Sequence, residues 1–235
     1  MVSHEQLRTI RNGVAIGVAT GTYGVSFGAL SVAAGLSLPQ TCALSLLMFT
    51  GASQFAYVGV VAAGGSALFG SLTAALLGTR NGLYGLHLSR LLSLRLGRRA
   101  VAAHFVIDES AALSLAGRTE PLARLGFWAA GLSVFVCWNV ATVVGGLGAT
   151  LLPDPEALGL DVVAPAAFIA LLAPRLVSRL TWLVALIGAA VALVAVPLTP
   201  PGVPVLLSAA AVVSLALVGK TAEGQQTAPE AGGRA

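Results

Sequence analysis

Charge is what this sequence has least of. Its 235 residues include 13 basic and 9 acidic side chains, 9% charged in all, against about 25% in an average soluble domain. A soluble protein of this length cannot cover its surface with so few ions, which excludes a soluble enzyme and a nucleic-acid binder. Cysteine is scarcer still. Cys42 and Cys137 both fall in apolar stretches, where they read as small buried hydrophobes, so a secreted disulfide scaffold is excluded too. There is no Gly-Lys-Thr phosphate loop, no His or Cys pair at zinc spacing and no Gly-x-Ser-x-Gly elbow. No metal or other cofactor is expected, and nothing supports an enzyme.

Apolar chain is abundant. Hydrophobic residues make up 57% of the sequence, in runs at roughly 13–34, 41–63, 66–92, 100–117, 125–151, 162–174, 180–197 and 203–219. A helical crossing of a bilayer takes ~20 such residues, so the chain has room for about seven. The run at 100–117 carries Asp108 and Glu109 and is a poor spanning candidate. Transmembrane strands are excluded, because they would be ~9–11 residues long with alternating polarity. The expected fold is an all-α integral membrane protein, a polytopic helical bundle with one or two segments broken or re-entrant. Residues 1–220 form the transmembrane domain, with a disordered tail at 221–235 rich in Thr, Ala, Gly, Gln and Glu. The first run follows Arg8 and Arg11 like a signal peptide, but it is long enough to span and is read as a retained first helix.

The basic residues predict orientation. Arg90, Arg95, Arg98 and Arg99 form the densest basic loop, which is placed in the cytoplasm together with Arg118 and Arg124 if 100–117 does not cross. The acidic loop of Asp154, Glu156 and Asp161 then lies outside. Arg175 and Arg179 return inside, and Lys220 puts the C-terminus inside. The first half conflicts with this pattern. Three crossings before the basic loop would leave Arg8 and Arg11 outside, unless 41–63 or 66–92 turns back within the membrane.

A few polar residues interrupt the apolar runs. Gly13, Gly17, Gly21, Gly24 and Gly28 repeat along the first helix, a pattern for close helix contact or for a flexible gating helix. Thr50-Gly51-Ala52-Ser53-Gln54-Phe55 is a place to break a helix so that freed amides meet a carboxylate. Alternatively the helix is continuous and Gln54 bonds a neighbour. Arg80 stands near mid-membrane, where an arginine costs at least ~2.5–3.5 kcal/mol and needs a partner or a wet cavity. On a continuous helix Thr73, Arg80, Tyr84 and His87 share a face that would line a pathway; otherwise Arg80 snorkels or forms a structural ion pair. Asp108 and Glu109 lie in an apolar context. On one helix His104 and Asp108 face the same way. The carboxylates then pair Arg80, bind an ammonium group or carry a proton, unless they are solvated on an interfacial helix. Asp161 reads as an N-cap at the outer surface or as a group at the pathway mouth.

These stretches together resemble the AzlC family, the large subunit of branched-chain amino acid exporters associated with azaleucine resistance. Gly35-Leu36-Ser37 followed by Thr50-Gly51-Ala52-Ser53-Gln54-Phe55-Ala56 is similar to its Gly-Leu-Ser and Ala-Gly-Ala-Ala-Gln-Phe stretch. Arg80 with Leu83-Tyr84-Gly85 resembles its Asn-x-Arg-His-x-x-Tyr-Gly segment, and Asp108-Glu109 its acidic pair. Leu158-Gly159-Leu160-Asp161 with Pro165-Ala166-x-Phe168 is similar to its Gly-Leu-Asp-x-x-x-Pro-Ala-x-Phe stretch. The likeness covers about residues 11–219 in order. Gly78 stands where the family often has Asn, Asn81 where it often has His, and Ser53 for a small apolar residue; these departures bear on substrate range.

The resemblance implies a secondary-active exporter of branched-chain or other hydrophobic amino acids in the bacterial cytoplasmic membrane. It further implies proton coupling and a small hydrophobic AzlD-type membrane subunit as partner. From the chemistry of these residues, a substrate carboxylate is expected to meet Arg80 and the amides of Gly51, Ala52 and Ser53, with Gln54 orienting it. Phe55 would line the side-chain pocket and Tyr84 the pathway beside Arg80. Asp108 or Glu109 would take the ammonium or the coupling proton. The rival readings are a passive channel and a non-transporting scaffold subunit.

Overall fold

The computed structural model describes residues 3–93, 95–151, 166, 169, 172, 173 and 176–226, with side chains as far as 215. Every regular element among them is helical. The chain divides into two units, Met1–Leu171 and Leu172–Ala235.

The first unit opens with α1 (His4–Ala33), started by a capping box in which Ser3 and Gln6 bond each other's backbone amides. Gly35, at φ +89°, turns the chain into α2 (Leu38–Leu47), capped the same way by Ser37 and Gln40. After a break at 48–51 comes α3 (Ala52–Ala62), and Gly64, at φ +80°, leads into α4 (Ala67–Leu92). Then follow α5 (Leu96–His104), α6 (Asp108–Leu115) and α7 (Glu120–Thr150). Both α1 and α7 are long and apolar enough to cross a membrane.

The glycines of α1 are used for contact. Gly13 meets Ala129, Gly17 meets Ser133, Gly21 meets Cys137 and Gly28 meets Thr142, all on α7. The positions advance together, so α1 and α7 run parallel, and the missing side chains let the backbones touch. A Cβ on Gly17 would sit 2.5 Å from that of Ser133. Overpacking of this kind costs ~1–3 kcal/mol. Gly17→Val should therefore lower the melting temperature and broaden the size-exclusion peak in detergent. Gly59→Ala, whose Cβ meets nothing within 4 Å, should change neither.

The four short helices form two hairpins, and contacts give their directions. Down α2 the partners on α7 step backwards: Leu38 lies against Gly146, Ser45 hydrogen-bonds Thr142 at 3.2 Å, and the Phe49 ring packs on Phe135. Past the break the trend reverses, because Phe55 packs on Trp138 and on Phe27 of α1. Hence α3 climbs back toward the end from which α2 came. It pairs antiparallel with α4, Tyr57 against Gly70 and Ser53 against Gly78. So α4 runs the full depth of the unit, bringing Leu88 and Leu92 into a cluster with Ala102, Val106, Ala111 and Phe127. From that far end α5 rises, and its last residue, His104, reaches Phe49 and Phe135. Then α6 descends antiparallel to α7, with Phe105 against Gly131 and Leu113 against Gly126.

Two helical hairpins thus enter from opposite ends of the unit and meet at their tips. Their arms have 10, 11, 9 and 8 residues, ~12–17 Å each at 1.5 Å per residue, about half a bilayer core. Within the unit, segment 41–63 turns back and 66–92 does not, so Arg8 and Arg11 share an end with the loop at 90–99. Segment 100–117 turns back as well. Every arginine of residues 3–151 except Arg80 lies at that one end, and the turns at the other, 34–37 and 63–66, carry no charge.

The second unit contains α8 (Arg179–Ala195) and α9 (Val203–Gln226). The turn between them has Gly202 at φ +95°, and Ser208 Oγ bonds the Gly188 carbonyl oxygen across the pair at 3.0 Å. The helix α9 continues past residue 220, where the sequence placed the start of a tail. Asp161, Pro165 and Phe168, with the rest of the acidic loop, lie outside the described residues.

Candidate functional site

Each hairpin tip is held open by one buried polar side chain at the third position of its second arm. At the first tip Gln54, fully buried, accepts the Gly51 amide at 3.1 Å and donates to the Leu44 carbonyl oxygen of α2 at 3.1 Å. Gly51 adopts φ +62°, ψ −90°, a backbone region that favours glycine. At the second tip Ser110, also fully buried, accepts the Ile107 amide at 3.1 Å, and its Oγ lies 2.6 Å from the Phe105 carbonyl oxygen. Gln54 therefore ties two half-helices together, while its own amide and that of Phe55 bond the Gly51 carbonyl oxygen and the amides of Ala52 and Ser53 lie at the break. Gln54→Leu strips both bonds from buried partners, a loss of ~1–3 kcal/mol. A melting temperature several degrees lower in a detergent thermal-shift assay is the expected result.

Arg80 sits opposite. Its Nη1 lies 3.0 Å from Asp108 Oδ2, with about a quarter of each side chain exposed. Asp108 is the first residue of α6, so the bridge fastens α4 to the second tip. Ser53 on the first tip is 1% exposed and faces Gly78, half a turn before Arg80. The oxygens of Ser53 and Thr50, the Asn81 amide oxygen and Arg80 Nε are buried with no hydrogen-bond partner. Unmet polar atoms of this kind are unusual inside a protein. Glu109 is the second residue of α6, beside Asp108.

Other expected residues fall elsewhere. Phe55 is 2% exposed, wedged between Phe27 and Trp138, and in this conformation belongs to the core. The helix α4 is continuous, so Thr73, Arg80, Tyr84 and His87 share one face; along it Thr73 is buried, Arg80 and Tyr84 are half-buried and His87 is exposed. His104 and Asp108 are not on one helix, because the break at 105–107 separates them. His104 instead joins Phe49, Phe105 and Phe135 in a ring cluster where the tips meet, with centroids 5.0–6.3 Å apart. Sequence reasoning missed that cluster, although Phe49 and Phe105 lie in the two breaks and carried the signal.

A groove of about 390 Å³ runs between α4 and α5 from Asn81, beside Arg80, to Arg99 at the arginine-rich end. Gly82, Gly85, Ala102 and Ala103 make its walls low, and its size is that of a small-molecule site.

Discontinuous helices that meet near mid-depth recur in membrane transport proteins. The match to known families agrees: the chain belongs to the AzlC family, described as AzlC protein, over residues 15–152. That span takes in α1 from residue 15 onward, α4, α7 and both hairpins, and places the chain among membrane proteins of amino-acid transport. No curated protein and no solved structure matches the chain.

Proposed function

We propose that this protein is a secondary exporter of hydrophobic amino acids such as leucine, isoleucine, valine or methionine, working by alternating access and driven by protons. The observation that supports this most is the Arg80–Asp108 pair at the meeting of two opposed hairpins, beside the unpartnered oxygens of Thr50 and Ser53. An amino acid carries a carboxylate, an ammonium and an apolar side chain. The carboxylate goes to the Arg80 guanidinium and the α3 amides of Ala52 and Ser53, and the ammonium to Asp108. Glu109, next to Asp108 at the start of α6, carries the coupling proton. The groove past Tyr84 and Gly85 accommodates the apolar side chain on entry.

The arginine-rich end faces the cytoplasm of a bacterium by the positive-inside rule, which puts the N-terminus and the mouth of the groove inside. Arg175, Arg179 and Lys220 put the C-terminus there as well. A small hydrophobic subunit of the AzlD type completes the exporter.

Efflux of labelled leucine from loaded vesicles containing the chain with that subunit tests the proposal. Leucine should leave against its gradient and stop when the proton gradient is collapsed. Downhill efflux that persists would indicate a facilitator, and absence of efflux would refute export.

A further inference from the structure

The groove between α4 and α5 matches one tail of a phospholipid in length and polarity. We propose that it holds an anionic phospholipid of the leaflet at the arginine-rich end, with the phosphate at Arg99 and an acyl chain reaching toward Asn81. The groove follows α4 from Asn81 to Leu92, ~16 Å at 1.5 Å per residue, and half a bilayer core is ~15 Å. Its walls are apolar, formed by Gly82, Gly85, Leu86, Ala102 and Val106. Ser89, the polar side chain between the two ends, bonds the Leu86 carbonyl oxygen of its own helix. A Cβ on Gly82 or Gly85 would meet nothing within 4 Å, so neither glycine serves a helix contact among the described residues. Each is less favourable in a helix than alanine by ~1 kcal/mol, and what the pair provides instead is room for an occupant.

The mouth of the groove is cationic. Arg99 lines it, and Arg90, Arg95 and Arg98 are exposed at the same end. No acid occurs from residue 81 to residue 107, and among the described residues none of these four arginines is in an ion pair. The helix α5 also starts here with no side chain capping its first amides, and open amides at a helix N-terminus attract phosphate. Basic pockets between membrane helices bind anionic headgroups in this way. A soluble anion would use the arginines and leave the apolar walls uncovered, whereas a lipid satisfies both. In the export reading the cargo side chain passes along the same groove, so the tail leaves it before cargo enters.

The experiment is native mass spectrometry of the full-length protein in non-ionic detergent, titrated separately with four probes. These are long-chain phosphatidylglycerol, phosphatidylethanolamine with the same chains, dihexanoyl phosphatidylglycerol and inorganic phosphate. Long-chain phosphatidylglycerol should be retained several-fold more than each of the other three. Arg99→Gln should lower its retention to that of phosphatidylethanolamine. Gly82→Leu with Gly85→Leu fills the groove and should lower retention of both long-chain lipids several-fold. If that double variant does not fold, the dihexanoyl lipid puts the same question to the native chain. Equal retention of the two headgroups, of the long and short chains, or of phosphatidylglycerol by wild type and Arg99→Gln overturns the proposal. Retention is read without transport. A chain that keeps phosphatidylglycerol and exports nothing refutes the export reading alone, and one that exports leucine without this lipid preference refutes only the lipid site.

Discussion

Arg80→Ala should abolish leucine export. The guanidinium is the group of the site best suited to a carboxylate, and hydrogen bonds to charged groups contribute ~1.5–3 kcal/mol each. Losing a forked pair of them removes ~3 kcal/mol or more, at least about a hundredfold in transport rate. The single variant also leaves Asp108 without its counter-ion at mid-depth, which lowers the amount of folded protein. Arg80→Ala with Asp108→Ala separates the two effects: removing both charges should restore abundance in the membrane without restoring export. Arg80→Lys keeps the charge but not the planar fork, and should retain a small part of the activity. The checks are efflux per unit of protein and immunoblotting of washed membranes. Normal export by a well-expressed Arg80→Ala protein would remove Arg80 from the mechanism.

Much of this site is legible in the sequence, because membranes make polar residues conspicuous. Arg80 and Asp108 stand out against apolar neighbours, and their pairing follows from the cost of leaving either alone. The first break is legible for the same reason, since Thr50-Gly51-Ala52-Ser53-Gln54 combines a flexible backbone with side chains that can replace lost hydrogen bonds. The second break is not. Phe105-Val106-Ile107 is apolar and β-branched, with no glycine or proline, so it reads as the middle of a helix. It opens because Ser110, an unremarkable residue, takes over the Ile107 amide from inside the core. The direction of α3 was hidden too, because it is set by Phe55 packing on Phe27 and Trp138, contacts from far along the chain. The same packing explains why Phe55, beside the polar break in sequence, is turned away from it in space.

Cross-linking the two tips should stop export as completely as removing Arg80, and reversibly. Alternating access requires the path to be closed on one side whenever it is open on the other, which in this fold means one hairpin moving relative to the other. The tips touch through Phe49 and His104, with ring centroids 5.9 Å apart, and the rings of Phe105 and Phe135 close the cluster around them. Aromatic contacts of this kind contribute ~0.5–1.5 kcal/mol each beyond the area they bury, weak enough to part during a cycle, whereas a covalent link is not. Phe49→Cys with His104→Cys, in protein free of Cys42 and Cys137, should lose export on treatment with a short bifunctional thiosulfonate and regain it with reductant. Each single cysteine variant, treated identically, should keep the activity it had before treatment. The pair then distinguishes moving tips from a static aromatic plug: a cross-linked protein that exports at its former rate has hairpins that do not move, and its path must lie elsewhere.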